Sequence, residues 1–158
     1  MSFHISKNLN NEIRLYNILI LLRTFFNKII YNIEILYDFN LLNSDIIINV
    51  TNIKYFWHLI NILKHSILFN YTQLNDITCI DNISLLKDLQ DNNKNRFTLI
   101  YIFTNIKFNG RLIVRFTINK NQRVPSLSNL FQCSNWLERE IYDLFVLYFQ
   151  IIQICVEF

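Results

Sequence analysis

The chain has 158 residues, of which 52% are hydrophobic and 17% are charged, with a formal net charge of +3. This length fits one domain that buries about two-thirds of its unfolded surface, and the charged fraction is below the ~25% typical of soluble domains, so part of the surface is not built for water. The single glycine, Gly110, excludes the glycine-rich loops that bind the phosphates of NAD or ATP.

Residue usage is strongly skewed. The chain has no alanine and only one proline, Pro125, while isoleucine, asparagine, leucine and phenylalanine dominate. Because these abundant residues, leucine aside, have AT-rich codons, the composition indicates an AT-biased, organellar genome. No targeting or membrane-spanning segment is predicted, since the apolar runs fall short of the ~20 residues a spanning helix needs.

The three cysteines, Cys79, Cys133 and Cys155, lie far apart in the sequence. Structural zinc and iron–sulfur sites need ligands at short spacings, so no metal site is predicted. An odd number of distant cysteines suits a reducing compartment, with all three present as buried free thiols.

The first half of the chain predicts a helix, a hairpin and a second helix. Apolar positions recur at helical spacing over residues 11–30. Two β-branched runs, at 33–37 and 45–50, flank a polar turn and predict a hairpin. Residues 52–66 are helical again, with either Thr51 or Asn52 as N-cap. The predicted buried stripe of this helix is Phe56, Leu59, Ile60 and Leu63.

Three strands follow, at 73–81, 97–106 and 111–118. Asn109-Gly110 is a strong two-residue hairpin signal, which places the only glycine where φ must be positive. Residues 88–95 are polar and predict a loop.

A last helix is predicted after Pro125, with Ser126 or Ser128 as its N-cap. Its predicted buried face consists of Leu137, Ile141, Leu144 or Phe145, and Tyr148. The order of the predicted elements indicates an α/β (α+β) fold, with one compact domain over 1–158. In this domain a mixed β-sheet with hairpins packs against helices, and a charged, aromatic helix lies at the end.

That last helix concentrates charge in a sparsely charged chain. Trp136, Glu140 and Asp143 fall along one side, and Arg139 with Asp143 forms an i, i+4 pair of opposite charge. Aromatic residues and arginine are enriched in tight interfaces, which predicts a docking helix; a solvated face with incidental ion pairs is the alternative. The predicted partner interface is Trp136, Glu138, Arg139, Glu140, Tyr142 and Asp143.

No catalytic residue is predicted. Glu138 and Glu140 are two positions apart and point to different sides of a helix, and no nucleophile or orienting partner accompanies them.

The run NWLEREIYDLF at 135–145, preceded by VPS at 124–126, resembles the 30-kDa subunit family of respiratory complex I, called NADH dehydrogenase subunit 9 when mitochondrially encoded. The family pattern is close to W-x-E-R-E-x-Y-D-M/L-F-G. Upstream, residues 74–81, 96–101 and 111–115 look like three family strands, so the resemblance covers about 73–149. It departs at Val146, where the family has glycine, and at the family's long C-terminal tail, which 150–158 do not match.

The resemblance implies a non-catalytic core subunit in the matrix arm of mitochondrial NADH–ubiquinone oxidoreductase, at the matrix side of the inner membrane. Such a subunit lies beside the quinone-site core subunit, which is its expected chief partner. It binds no cofactor; FMN, iron–sulfur clusters and ubiquinone belong to the rest of the complex. Against the resemblance, three explanations of the missing tail stay open: another polypeptide supplies it, it has been lost, or the reading frame ends early.

An alternative function is an RNA-binding mitochondrial ribosomal protein. It draws on the +3 charge and on aromatic residues expected to be exposed on strands: Tyr101, Phe103, Phe108 and Phe116. The basic cluster for it is Arg111, Arg115, Lys120 and Arg123. Nucleic-acid binders are usually more basic than this chain, so the subunit hypothesis is preferred, without nucleic acid as a partner.

Overall fold

The computed structural model describes residues 20, 24, 30–37, 44–83, 96–107 and 110–151. Its main sheet consists of β1 (Ile30–Tyr37), β2 (Ser44–Val50), β3 (Gln73–Asp81), β4 (Phe97–Asn105) and β5 (Gly110–Ile118). The other elements are a 3-10 turn at Ile53–Tyr55, the helices α1 (Phe56–His65) and α2 (Ser134–Phe145), and the short strands β6 (Val124–Pro125) and β7 (Phe149–Gln150).

The sheet is mixed, with the spatial order β1-β2-β5-β4-β3. The β1–β2, β4–β5 and β3–β4 pairs are antiparallel, whereas β2 and β5 are parallel. Parallel neighbours require a crossover connection, and here that connection contains α1, β3 and β4. The predicted α/β class, with a mixed sheet and hairpins packed against helices, is confirmed.

Alternating side chains place the core on one face of the sheet. Every second residue of β4 and β5 is buried there, and α1 packs its predicted stripe against them. The ring of Phe56 lies 4.8 Å from those of both Tyr101 and Phe116. Fully burying such side chains contributes about 1.5–3 kcal/mol each, so this layer is a main source of stability.

The expectation of exposed aromatic residues on the strands is wrong for those that the structure describes. Tyr101, Phe103 and Phe116 are 0%, 1% and 4% exposed, because each falls on the face covered by α1. Phe108 lies outside the described residues.

The β4–β5 hairpin is confirmed, but its turn differs from the prediction. Asn105 pairs with Gly110, so the connection is the four residues 106–109, and Gly110 belongs to the strand. Gly110 does not have a positive φ, and a side chain there would meet no atom within 4 Å. The predicted role of Gly110 in the turn is therefore wrong; Asn109 lies outside the described residues.

Some predictions concern residues that the structure does not describe. The helix at 11–30 falls there except for Ile20 and Thr24, both of which are helical. The loop at 88–95, Cys155 and the single-domain assignment of 1–158 also stay predictions. Across the described ranges, none of the helices combines the length and the apolar character needed to cross a membrane.

Candidate interaction surface

The helix α2 begins at Ser134, nine residues after Pro125. Pro125 lies in β6, and turns fill the interval, with the Phe131 N–H donating to the Leu127 carbonyl at 2.8 Å. The predicted N-caps Ser126 and Ser128 are therefore wrong. The residue at the N-cap position is Cys133, whose side chain makes no capping bond.

Glu138 is buried, which contradicts its predicted place in the partner interface. Its side chain is only 6% exposed. The Ser126 hydroxyl donates to Oε2 and the Leu127 N–H donates to Oε1, each at 2.7 Å. Ser134, Glu138 and Ile141 share the inward side of α2 at i, i+4 and i+7 spacing. Glu138 thus ties the segment after β6 to the helix.

Burial in the core raises the pKa values of three groups: Glu138, Tyr101 and Cys79. Burial raises the pKa of Glu138, while hydrogen bonds from Ser126, Leu127 and Ser134 partly oppose this rise. Burial and the nearby Glu138 also raise the pKa of Tyr101, whose hydroxyl has no hydrogen-bond partner in the described structure. Burial raises the pKa of Cys79 to about 12, so this thiol is a poor nucleophile at neutral pH.

The outer side of α2 carries the remaining predicted interface residues. Trp136 is 73% exposed and Tyr142 is 42% exposed; Arg139, Glu140 and Asp143 are exposed too. Of the alternatives Leu144 and Phe145 for the buried face, Phe145 packs against the core and Leu144 is 69% exposed. Tyr148 was also expected in the buried face but is 55% exposed. These exposed residues all lie between positions 136 and 148, and we call them the α2 surface: Trp136, Arg139, Glu140, Tyr142, Asp143, Leu144 and Tyr148.

The charges of the α2 surface are not paired with each other. Arg139 and Asp143, predicted as an ion pair, do not form one; in the part of the chain that the structure describes, the only salt bridge joins Arg96 to Asp81 at 2.7 Å. The exposed guanidinium of Arg139 and the exposed carboxylates of Glu140 and Asp143 therefore have no ion-pair partner among the described residues.

The C-terminal end of α2 fixes the position of Tyr148. Val146 adopts a left-handed conformation with φ 57° and ψ 39°, and its N–H donates to the Tyr142 carbonyl at 2.8 Å. The chain then runs parallel to β6, where the Val124 N–H donates to the Tyr148 carbonyl at 2.9 Å. This return brings the ring of Tyr148 to 5.4 Å from that of Tyr142.

The thiols are not all buried as predicted. Cys79 is buried, but Cys133 is exposed at the start of α2, where its Sγ donates to the Leu74 carbonyl at 3.5 Å. Within the described residues, no three histidine, cysteine or carboxylate side chains come together as metal ligands would.

A cleft of about 600 Å³ lies beside β2 and β5. Its described lining is mostly polar and uncharged, apart from Arg115, whose Nε donates to Asn49 Oδ1. This described lining includes no cysteine, histidine or carboxylate.

The sequence analysis misplaced Tyr148 because it continued the helix past Phe145, where α2 ends. It misplaced Glu138 because every charged residue was assumed to face outward. The i, i+4 relation between Ser134 and Glu138, two polar residues on one side, is the signal that could have corrected the assignment.

The fold and this surface define a class of protein: an α/β domain that presents an exposed aromatic and charged helix next to a well-packed core. The profile of the family described as "Respiratory-chain NADH dehydrogenase, 30 Kd subunit" matches residues 48–151. The match covers most of the chain, and the chain therefore belongs to this family.

Individual relatives agree with this assignment. NADH-ubiquinone oxidoreductase subunit 9 of Dictyostelium citrinum is 36% identical over 88 residues, covering 56% of this chain and 40% of that protein. The subunit 9 of Acanthamoeba castellanii is 31% identical over 107 residues, covering 68% of this chain and 48% of that protein. The chain thus spans less than half the length of these relatives.

A solved structure supports the fold. A trypsin-resistant fragment of Nqo5 is similar with a TM-score of 0.59 and 24% identity, covering 87% of this chain and 96% of that one.

Proposed function

We propose that this chain is a non-catalytic core subunit of the matrix arm of mitochondrial NADH–ubiquinone oxidoreductase, on the matrix side of the inner membrane. The observation that carries the proposal is the family match over residues 48–151, which includes β3 to β5 and all of α2. Relatives named as mitochondrial subunits of this enzyme support the location.

In this proposal the α2 surface docks the chain onto other subunits, chiefly the quinone-site core subunit. Trp136 supplies a large exposed anchor, and Arg139, Glu140 and Asp143 supply charges without ion-pair partners. The role of the chain is structural: a rigid sheet and α2 hold the quinone-site module in position. FMN, the iron–sulfur clusters and ubiquinone are bound by other subunits.

The test is a comparison of two substitutions in the native complex. Trp136→Ala removes the anchor of the α2 surface, and Ile67→Ala is its control, since Ile67 is 93% exposed in a different part of the fold. We expect Trp136→Ala to lower the amount of assembled complex several-fold, while NADH oxidation per assembled complex stays the same. Ile67→Ala should change neither quantity.

Normal assembly of the Trp136→Ala complex with lost turnover would contradict the scaffold role. Unchanged assembly and unchanged turnover would show that the α2 surface is not part of the interface.

In this structure, the aromatic residues do not support the RNA-binding alternative. Three of its four aromatic residues are buried, and Arg115 of its basic cluster is hydrogen bonded to Asn49. Binding of single-stranded RNA normally requires aromatic faces accessible to bases.

A further inference from the structure

The cleft beside β2 and β5 lies where the pairing of these two parallel strands ends. The last pair joins Asn49 to Arg115. β2 stops at Val50, whereas β5 continues to Ile118, so a crevice opens beyond the carboxyl end of β2. In open α/β sheets, ligands bind in crevices at the carboxyl ends of parallel strands. The cleft volume of about 600 Å³ is also within the range of small-molecule sites.

Polar side chains of the described lining can donate hydrogen bonds to a bound molecule. Asn82 Nδ2 donates to Thr98 Oγ1 at 2.8 Å, so the Thr98 hydroxyl has its own proton to donate. The Asn119 N–H donates to Gln122 Oε1 at 3.5 Å, and the amide nitrogen of Gln122 carries two further N–H donors. Thr117 also lines the cleft and is exposed, which adds a second hydroxyl.

Three exposed cations flank the residues that line the cleft. Lys54 directly follows Ile53, and Arg123 directly follows Gln122. The 3-10 turn that contains Lys54 contacts β6, which directly follows Arg123, so these two cations belong to neighbouring parts of the fold. Lys120 lies in the tight turn that a backbone hydrogen bond from Gln122 closes. None of the three cations has a salt-bridge partner among the described residues.

The charge around the cleft indicates the chemical class of its ligand. Arg115 lines the cleft, with its Nε donating to Asn49, and adds a fourth positive charge. A cleft with one sign of charge attracts ligands of the opposite sign. A carboxylate carries one charge on two oxygens, whereas a phosphate group carries about two charges and has three acceptor oxygens. The cations and the hydroxyl and amide donors therefore match phosphate better than a carboxylate.

We propose that this cleft binds the phosphate groups of a small organic phosphate. Phospholipid headgroups and the RNA backbone have the same phosphate chemistry, but a membrane or a nucleic-acid strand is bound by an extended face. A cleft of this volume instead encloses a small molecule. The apolar lining residues Val50, Ile53 and Phe116 can contact the organic part of the ligand. The proposal goes beyond the scaffold role described above and does not depend on it.

Calorimetric titration of the full chain with pyrophosphate tests this proposal. We expect saturable binding, which Lys120→Gln and Arg123→Gln should each weaken by about tenfold, since a hydrogen bond to a charged group contributes about that factor. The matched control is Lys107→Gln, another exposed lysine, in the turn at the opposite end of β5. It should change the affinity by less than about twofold, because the nine residues of β5 extend roughly 30 Å, well beyond the screening length of salt.

Several results would overturn the proposal. They are no saturable binding of pyrophosphate, an equal loss of affinity in all three variants, and binding of citrate as tight as that of pyrophosphate. Vesicles that contain phosphatidic acid and a single-stranded RNA test the other sources of phosphate. Binding of the chain to either of them, without binding of pyrophosphate, would also overturn it.

Thermal unfolding gives a second measurement of the same binding. A ligand that binds only the folded chain raises its Tm. Pyrophosphate in large excess over its Kd should therefore raise the Tm of the unaltered chain and of Lys107→Gln by several degrees, and that of Lys120→Gln by clearly less. A Tm of the unaltered chain that does not change with pyrophosphate would contradict the proposal.

Discussion

Glu138 and Glu140 are two residues apart and have opposite roles. Glu140 is exposed on the α2 surface, whereas Glu138 is buried and accepts hydrogen bonds from Ser126 and Leu127. A buried carboxylate is tolerated only when its oxygens are satisfied, and both oxygens of Glu138 are. The two glutamates therefore have different roles, although they carry the same charge.

Removing the Glu138 carboxylate should destabilise the fold. Glu138→Ala leaves the Ser126 hydroxyl and the Leu127 N–H without their acceptor, and the expected loss in the free energy of unfolding is about 1–3 kcal/mol. The matched control is Glu140→Ala, which should stay within about 0.5 kcal/mol because the residue is exposed. Urea unfolding of the two variants measures the difference. Equal losses would mean that Glu138 does not anchor the helix.

At the scale of the element, α2 ends under strain. A left-handed conformation costs a residue with a β-carbon roughly 1–2 kcal/mol, and a β-branched residue such as Val146 is poorly suited to it. Glycine is the usual residue at this position of a helix end, which gives a physical reason for the glycine in the family pattern. The chain's departure from that pattern is therefore a local cost in stability.

Val146→Gly should relieve this strain. The expected gain in the free energy of unfolding is about 1 kcal/mol, since Val146 is half exposed and loses little packing. Val146→Ala keeps the β-carbon and should gain clearly less. Both variants can be compared by thermal unfolding. If glycine destabilised the chain more than alanine did, the left-handed conformation would not be the source of strain.

The sequence predicted some elements well and others poorly, for physical reasons. The alternation in β4 and β5 and the stripe of α1 depend on local periodicity, which a single sequence contains. The start of α2 was wrong because Pro125 and the serines suit a strand and turns as well as a helix start. The burial of Glu138 could not be predicted, because its hydrogen-bond donors lie 11 and 12 residues away.

At the scale of the whole molecule, two carboxylates make stability depend on pH in opposite directions. The hydrogen bonds from Arg96 lower the pKa of Asp81, so its stabilising contribution is present above its unfolded pKa and is lost as pH falls through the folded pKa. Burial raises the pKa of Glu138, so its contribution is complete below the ordinary value of 4.5 and is lost as pH rises through the folded pKa.

Replacing either carboxylate by its amide should remove the pH dependence of stability that this carboxylate causes. The free energy of unfolding of Glu138→Gln should decline less than that of the unaltered chain as pH rises from about 4.5 towards neutrality, the interval in which a raised carboxyl pKa acts. Asp81→Asn should instead reduce the loss of stability in more acidic solution. Urea unfolding across this pH range tests both. Profiles that stay parallel to that of the unaltered chain would contradict the assigned pKa directions.

The most direct test of the proposed function is to find the polypeptide in its assembly. Native electrophoresis separates the complexes of mitochondrial membranes, and mass spectrometry then quantifies this chain in the band that oxidises NADH. We expect one copy per complex in that band. Migration with ribosomes, or as a free protein, would contradict it.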